Sequence, residues 1–296
     1  MLNNQIDIVC CINDLDSRQV NWDQQNKKKF FNGRYLDFVT QFLILYNSIK
    51  NNWKFNYKIY LFYNFLSEDN LKKLSLLDIN LIHTESTINN PYILRQETYK
   101  YKTQGTHKLY LDVDTIATKN PNFDLSKDFL VMPCNHTLIS QKDWNNIATD
   151  IDHPIKDWKY GGGILDLLWS KQKTKEEIVN LNYFPHFNGG AILMKNNLSE
   201  KFGNLFIRYL NKLADKKKNF LRALMISEGL AITKLTNNWS IFDLGFNYFE
   251  QTQFGVPEKY FDVSNIFLYH YIFDNNLHKF KSFVDIENIV FSNTLA

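Results

Sequence analysis

The first half of the chain alternates short apolar runs with amphipathic segments. Residues 6–12 form an apolar, β-branched run that ends at Asn13, which is typical of a buried strand stopping at a polar loop. Residues 35–49 carry apolar side chains at three- and four-residue spacing, which predicts a helix packed on one side. The runs at 57–63 and 79–84 predict two more strands, with a short helix between them.

The same alternation continues towards the carboxyl terminus. It predicts strands at 107–111 and 129–133, helices at 91–102, 198–213 and 221–235, and a tight turn at Phe187-Asn188-Gly189-Gly190 that leads into a further strand. Strands that alternate with helices indicate right-handed crossovers and a doubly wound, mostly parallel sheet. Ligands of such sheets bind beyond the carboxyl ends of the strands.

Domain organisation is predicted to be simple. Residues 135–184 have a less regular pattern that includes Gly161-Gly162-Gly163, and we expect an irregular insertion there. The glycine run matches neither the P-loop nor the dinucleotide-binding pattern, so an ordinary turn is the favoured interpretation. Because no repeat or Pro/Gly/Ser-rich linker divides the chain, residues 1–296 are interpreted as one domain.

Composition narrows the class of protein. The chain is 44% hydrophobic and 16% aromatic, which is ample for a core, and its formal charge of +3 gives no indication of nucleic-acid binding. Three cysteines without Cys/His metal spacing are expected to be reduced core thiols. No apolar run approaches roughly 18 residues and the first residues do not resemble a signal peptide, so we expect a cytoplasmic protein without a transmembrane segment.

The most informative motif is Asp112-Val113-Asp114 at the end of the strand 107–111. Two carboxylates placed this close together repel each other, and a hard divalent cation relieves that repulsion. Such a cation can bind a diphosphate and stabilise it as a leaving group. Taken alone, however, the triplet is equally compatible with a turn or a helix cap.

The surrounding sequence resembles glycosyltransferases of the GT-A fold, in particular the glycosyltransferase 8 family, which includes glycogenin and bacterial galactosyltransferases. The stretch Lys108 to Thr115 is similar to the strand that carries the family's Asp-x-Asp motif. Arg95, the stretch Phe187 to Gly190 and the stretch Tyr269 to Tyr271 match three further family motifs in the same order. The resemblance covers roughly residues 6 to 280, apart from the insertion.

The resemblance implies a Rossmann-like, mostly parallel sheet flanked by helices. It also implies a hexosyltransferase that uses a nucleotide-sugar, with a UDP-sugar as the expected donor. It implies Mn²⁺ or Mg²⁺ as the cofactor, transfer with retention, and a glycan, protein or lipid acceptor. Asp112, Asp114 and His270 are the implied metal ligands, and Glu228 and Asn188 the implied catalytic residues. The implied donor-binding residues are Asn13, Arg95, Asp112, Val113, Asp114, Asn188, Gly189, Gly190 and Lys279. The nucleotide-sugar would lie mainly against residues 1–134, the acceptor near 135–184, and residues 185–296 would complete the acceptor and metal sites.

Two departures from the family pattern concern the side of the site opposite the metal. The Gly and Lys-Pro-Trp expected after His270 are absent, and Lys279 is the candidate for the phosphate-neutralising lysine at a shifted position. Gly229 occupies the place of an amide side chain beside Glu228. Glu228 could therefore act as a general base in an inverting displacement or orient the sugar in a retaining one.

Two other functions use the same residues. A HAD-like phosphatase would use Asp112 as a nucleophile and Asp114 as an acid/base. Phosphatases of that superfamily usually carry Thr or Val two positions after the second aspartate, however, whereas this chain has Ile116 there. In addition, no downstream acidic pair suited to Mg²⁺ is evident in the sequence. A non-catalytic glycan-binding relative would explain the altered segment after His270 but not the intact metal-ligand set.

Overall fold

A computed structural model describes the chain at residues 5–12, 30–85, 91–134, 145–146, 148–149, 164–180, 186–214, 220–248, 258–260, 262–271 and 277–291. The strands are β1 (Ile6–Ile12), β2 (Phe30–Phe31), β3 (Arg34–Tyr35), β4 (Ile59–Tyr63), β5 (Asn80–His83), β6 (His107–Leu111), β7 (Thr115–Ala117), β8 (Phe129–Pro133), β9 (Phe187–Lys195), β10 (Trp239–Ile241) and β11 (Leu268–His270). The helices are α1 (Phe38–Asn52), α2 (Glu68–Ser75), α3 (Pro91–Lys100), α4 (Ile164–Trp169), α5 (Lys175–Asn180), α6 (Ser199–Ala214), α7 (Phe220–Leu235) and α8 (Ile286–Phe291).

Seven strands form one central sheet in the order β10-β8-β9-β6-β1-β4-β5. The pairs β6–β1, β1–β4, β4–β5 and β10–β8 are parallel, whereas β9 runs antiparallel to both of its neighbours, β6 and β8. The predicted α/β class with a mostly parallel sheet flanked by helices is therefore confirmed. The reversed strand, β9, lies in the middle of the sheet beside the strand that leads to Asp112.

The turn predicted at Phe187-Asn188-Gly189-Gly190 is wrong, because all four residues lie within β9. An Asn-Gly pair favours a tight turn where local preference decides the conformation. Here the segment is buried, and Phe187 and Asn188 pair with β8. The Gly190 carbonyl oxygen also accepts from the Asp112 backbone N–H at 2.9 Å, so these backbone bonds outweigh the turn preference. The pairing with β8 is irregular between Val131 and Met132, where a register shift places Met132 opposite Asn188.

The two faces of the sheet are buried in separate apolar clusters. Side chains of β6 alternate between them, with Leu109 and Leu111 on the face covered by α1 and Tyr110 on the face covered by α3, α6 and α7. Lys108 and Asp112 lie two residues on either side of Tyr110 and share its side of the strand. Polar groups of β6 therefore face α3, the helix that carries Arg95.

Lys108 is a buried lysine that binds the carboxyl end of α3. Its Nζ donates to the carbonyl oxygens of Thr98 at 2.9 Å, Tyr99 at 2.8 Å and Tyr101 at 2.7 Å. The last carbonyl groups of a helix lack partners within the helix, and the Lys108 amine supplies hydrogen-bond donors to them. Lys108 thus joins α3 to β6 one turn beyond Arg95.

Other sequence-based expectations can be placed in the structure. The three cysteines are free thiols, and two of them are buried. Within the described part of residues 135–184, the chain forms the short helices α4 and α5, whereas Gly161-Gly162-Gly163 lies outside the described residues. None of the helices that the structure describes is long and apolar enough to cross a membrane.

Burial of Lys108 predicts a pH-dependent stability. Burial lowers the pKa of Lys108 from 10.5 to about 7, so the unfolded chain holds more protons than the folded protein between these pH values. The free energy of unfolding should therefore rise between pH 7 and pH 9, on the order of 1–2 kcal/mol from this group. Urea titrations at both pH values should show that rise in the wild type and its loss in Lys108→Met.

The matched control is Lys72→Met, which replaces an exposed lysine of α2 and should keep the wild-type pH dependence. If Lys108→Met changed stability equally at pH 7 and pH 9, the proton balance assigned to Lys108 would be wrong.

Candidate metal and donor site

Two strand ends bring Asp112, Asp114 and His270 together. Asp112 follows β6, and the chain then passes through Asp114 into β7, which pairs antiparallel with β11. In that pairing His270 lies opposite Thr115, and the backbone N–H of Tyr271 donates to the carbonyl oxygen of Asp114 at 3.0 Å. A pairing across more than 150 residues of sequence therefore places the imidazole beside the aspartate pair.

The geometry of these three side chains fits a divalent cation. One ligand atom from each side chain lies within 4.8 Å of the others. His270 Nε2 is 3.2 Å from Asp114 Oδ1 and 4.0 Å from Asp112 Oδ2. Two carboxylates and an imidazole at the end of a buried strand offer the oxygen and nitrogen ligands that Mn²⁺ accepts, and their combined negative charge favours a cation.

Arg95 occupies the centre of a buried polar network behind the metal-ligand set. Its Nη2 pairs with Asp112 Oδ1, its Nη1 lies 3.1 Å from Glu228 Oε1, and its Nε donates to the Tyr110 hydroxyl at 3.0 Å. The guanidinium also lies 4.9 Å from the centre of the Tyr110 ring. Because Tyr110 donates to Asp112 Oδ1 at 2.5 Å, that oxygen has two donors while Oδ2 faces His270.

The network fixes the charges of its members. Burial alone would lower the pKa of Arg95, but the negative charge of Asp112 and the other acidic neighbours raise it well above its ordinary value. Burial raises the pKa of Glu228, and Arg95 and the hydrogen bond from the Tyr99 hydroxyl at 2.6 Å oppose that shift. The guanidinium is thus a permanent positive charge held between two acidic side chains.

Gly189 and Gly190 leave room for side chains of the site. A Cβ atom on Gly189 would collide with the Glu228 carboxylate and lie 2.9 Å from Arg95 Nη1. A Cβ atom on Gly190 would collide with the His270 ring and lie 3.0 Å from Asn247 Oδ1. The two glycines therefore allow Glu228 and His270 to pack against β9, and the donor binding that the resemblance implies for both glycines stays a prediction.

Asn188 and Glu228 each present one unused polar atom. Asn188 Oδ1 accepts from the backbone N–H of Gly190 at 2.9 Å, which leaves its Nδ2 without a hydrogen-bond partner among the described residues. Glu228 Oε2 likewise has no partner in the described structure, although the residue is completely buried. A buried donor and a buried acceptor without partners suit hydroxyl groups of a bound ligand.

Most of the residues predicted for the site lie together. The group contains Arg95, Asp112, Asp114, Asn188, Gly189, Gly190, Glu228 and His270. Val113 is buried in the core on the α1 side of the sheet, and Lys279 is exposed on the 3₁₀ helix Leu277–Phe280, so their donor contacts stay predictions. Asn13 lies outside the described residues.

Three residues that contact the predicted site residues were not identified from the sequence. Tyr110 could have been found, because strand alternation places it on the same face as Asp112. Tyr99 lies one helical turn after Arg95, which also indicates a shared face. Asn247 gave no local signal, since its contact with Asn188 depends on how distant segments meet.

Comparison with known proteins identifies the fold. No protein-family model and no curated protein sequence matches the chain. The galactosyltransferase LgtC, solved in complex with donor and acceptor sugar analogs, is 12% identical and matches with a TM-score of 0.52 over 98% of this chain and 97% of LgtC. An active-site mutant of LgtC gives 13% identity and a TM-score of 0.51 over 94% of each chain.

A larger protein contains the same fold. The bifunctional glycosyltransferase WbbM is 12% identical, with a TM-score of 0.50 over 92% of this chain and 46% of WbbM. The sheet order, the reversed central strand and these matches together show that the chain has a GT-A glycosyltransferase fold.

We expect alanine substitutions of Gly189 and Gly190 to affect Mn²⁺ binding differently. Gly190→Ala should displace the His270 ring and weaken Mn²⁺ binding by roughly tenfold or more, because a displaced ligand loses its metal bond. Gly189→Ala should displace Glu228 and crowd Arg95 instead, and it should weaken Mn²⁺ binding less than Gly190→Ala does, because it affects Asp112 only through Arg95. Electron paramagnetic resonance (EPR) titration with Mn²⁺ measures both affinities.

Each glycine variant is the control for the other, since both add one methyl group to neighbouring positions of the same buried strand. Equal Mn²⁺ affinities in the two variants would contradict the separate roles assigned to Gly189 and Gly190.

Proposed function

We propose that the protein is a metal-dependent glycosyltransferase that moves a sugar from a nucleotide-sugar, with a UDP-sugar as the expected donor, to an acceptor with retention of anomeric configuration. The observation that carries the proposal is the meeting of Asp112, Asp114 and His270 at the carboxyl end of β6 in a GT-A fold. The similarity to LgtC, which was solved in complex with donor and acceptor sugar analogs, supports a sugar substrate.

The metal-ligand set defines how the donor would be held. Asp112 through Oδ2, Asp114 and His270 through Nε2 would hold Mn²⁺ or Mg²⁺, which when bound supplies positive charge to a departing diphosphate. Three side-chain ligands satisfy only part of the coordination of such cations. We therefore expect phosphate oxygens of the donor to complete it, so that cation and nucleotide bind more tightly together than separately.

Arg95 adjusts the charge at this site. The two carboxylates contribute two negative charges, and Arg95 offsets one of them through its pair with Asp112. A site that is only partly negative attracts a lone cation less strongly, yet it presents a fixed cationic group near an anionic donor. Arg95 is therefore assigned to binding the donor and holding Asp112 in place.

Glu228 is better suited to orienting the donor sugar than to deprotonating an acceptor. Its carboxylate is completely buried, is paired with Arg95 and accepts a hydrogen bond from Tyr99. A general base takes up a proton, whereas Oε1 of this carboxylate is already held by Arg95 and Tyr99, so that Oε2 alone is left as a hydrogen-bond acceptor. This arrangement supports the retaining interpretation, in which Glu228 Oε2 and Asn188 Nδ2 bind hydroxyl groups of the donor sugar.

The phosphatase alternative fits the site less well. A nucleophilic aspartate needs a free oxygen directed at the phosphorus atom, but Asp112 Oδ1 is held by Arg95 and Tyr110 while its Oδ2 faces His270. The GT-A fold also favours glycosyl transfer over phosphate-ester hydrolysis.

The metal hypothesis is tested by calorimetry with UDP in the presence and absence of Mn²⁺. UDP should bind the wild type only with Mn²⁺, and Asp112→Asn or Asp114→Asn should weaken that binding by about 100-fold, or about 2.7 kcal/mol. Asp78→Asn is the control, because it alters an exposed aspartate that pairs with Lys50 at the surface. It should bind UDP like the wild type. Binding that resists both a chelator and the two site variants would refute the metal hypothesis.

The stereochemical prediction needs a donor. A panel of nucleotide-sugars should first be screened for Mn²⁺-dependent hydrolysis, and proton NMR should then follow the anomeric configuration of the transferred sugar. We expect retention, and we expect Glu228→Gln to lower the rate by about 10²-fold because the sugar loses a charged partner. An inverted product would exclude the retaining mechanism, and a Glu228→Gln enzyme with wild-type activity would exclude the role given to Glu228.

A further inference from the structure

Asn247 contacts Asn188 of β9 and directly precedes Tyr248, which pairs with Tyr269 of β11. It has no role in the function proposed above. Its side chain is completely buried, and its backbone has a φ of 57°, a left-handed conformation that asparagine adopts more readily than most residues. The next residue, Tyr248, accepts a hydrogen bond from the backbone N–H of His270 at 2.7 Å and donates to the carbonyl oxygen of Leu268 at 2.8 Å. The residue that directly follows Asn247 is therefore hydrogen-bonded to the strand that carries His270.

The orientation of the Asn247 carboxamide follows from its contacts. Its Nδ2 donates to the carbonyl oxygen of Asn188 at 3.4 Å, and rotating the amide by half a turn would place two oxygen atoms against each other. Oδ1 therefore points the other way, and it has no hydrogen-bond partner among the described residues. A buried acceptor without a partner is costly unless a bound state of the protein uses it.

The space beside Gly190, which has no side chain, contains both Asn247 Oδ1 and part of the His270 ring. A Cβ atom on Gly190 would touch the Nδ1 and Cε1 atoms of His270 and would lie 3.0 Å from Asn247 Oδ1. The imidazole edge that carries Nδ1 and the Asn247 oxygen therefore share one small space above Gly190. The opposite edge, with Nε2, faces Asp112 and Asp114.

A histidine that binds a metal through Nε2 must carry its proton on Nδ1, and metal-binding histidines generally donate that N–H to an oxygen atom. We propose that Asn247 is a positioning residue of the metal site whose carboxamide oxygen accepts the Nδ1–H of His270 when Nε2 binds the cation. The bond selects the imidazole tautomer and ring orientation in which Nε2 is a ligand. This inference rests on the proposed metal site, and it adds a residue that does not itself touch the cation.

The variant Asn247→Gly removes the carboxamide and introduces glycine, which readily adopts the left-handed backbone conformation of this position. Calorimetry with Mn²⁺ and UDP should show binding weakened by about 10- to 100-fold, the usual effect of losing a partner of a ligating histidine. Asn32→Gly is the matched control, because Asn32 is an exposed asparagine in the same backbone conformation, with a φ of 47°, in the turn between β2 and β3. It should bind like the wild type.

Asn247→Asp separates the acceptor role from a merely structural one. The aspartate keeps an acceptor for His270 but loses the donor to the carbonyl oxygen of Asn188. If Asn247 only joined two segments, the aspartate variant would lose Mn²⁺-dependent UDP binding as the glycine variant does. We expect instead that it binds within about threefold of the wild type or more tightly, as an anionic partner raises the basicity of the imidazole.

The two variants together decide the inference even if one of them is unstable, which thermal unfolding followed by circular dichroism would reveal. Wild-type binding in a folded Asn247→Gly protein would overturn it, as would an Asn247→Asp protein that binds at least tenfold more weakly. Failure of the wild type itself to bind Mn²⁺ and UDP would instead remove the proposed metal site, so the two failures are distinguishable.

Discussion

The ion pair between the buried Arg95 and the partly buried Asp112 is the constraint on which the site depends. A guanidinium withdrawn from water destabilises the fold unless acidic and polar groups surround it. Asp112, Glu228 and the Tyr110 hydroxyl meet that requirement. Tyr110 lies on β6, Asp112 directly follows β6, and Glu228 lies on α7. The positions of Asp112 after β6, Glu228 on α7 and Arg95 on α3 are consequently interdependent.

Helix α3 and strand β9 transmit this constraint to the rest of the fold. Lys108 binds the last carbonyl groups of α3, so the helix cannot shift along β6 without breaking three hydrogen bonds. On the other side of β6, the reversed strand β9 brings Gly189 and Gly190 beside the end of the β6 strand. Because neither glycine has a side chain, Glu228 and His270 can approach Arg95 and the aspartates from opposite directions.

Much of the fold and the membership of the site were predictable because they depend on local pattern. Periodicity predicted the main strands and helices, and four ordered motifs identified residues that the fold brings together. The conformation of 187–190 was not predictable from its own residues, since pairing with β8 and the hydrogen bond from Asp112 to Gly190 override the turn preference of Asn188-Gly189. Asn247 was missed for a similar reason: its importance arises from contact with residues about 60 positions away, which no spacing along the chain reveals.

The central claim is that His270 and the two aspartates form one metal centre, and pulsed EPR of bound Mn²⁺ tests it most directly. Protein labelled with ¹⁵N only at histidine should give a ¹⁵N coupling to Mn²⁺ in the presence of UDP, because an imidazole nitrogen is expected to be a direct ligand. The coupling should disappear in His270→Gln while persisting in a variant of the exposed His278. A Mn²⁺ complex with no histidine coupling, or with coupling that survives the loss of His270, would contradict the metal centre described here.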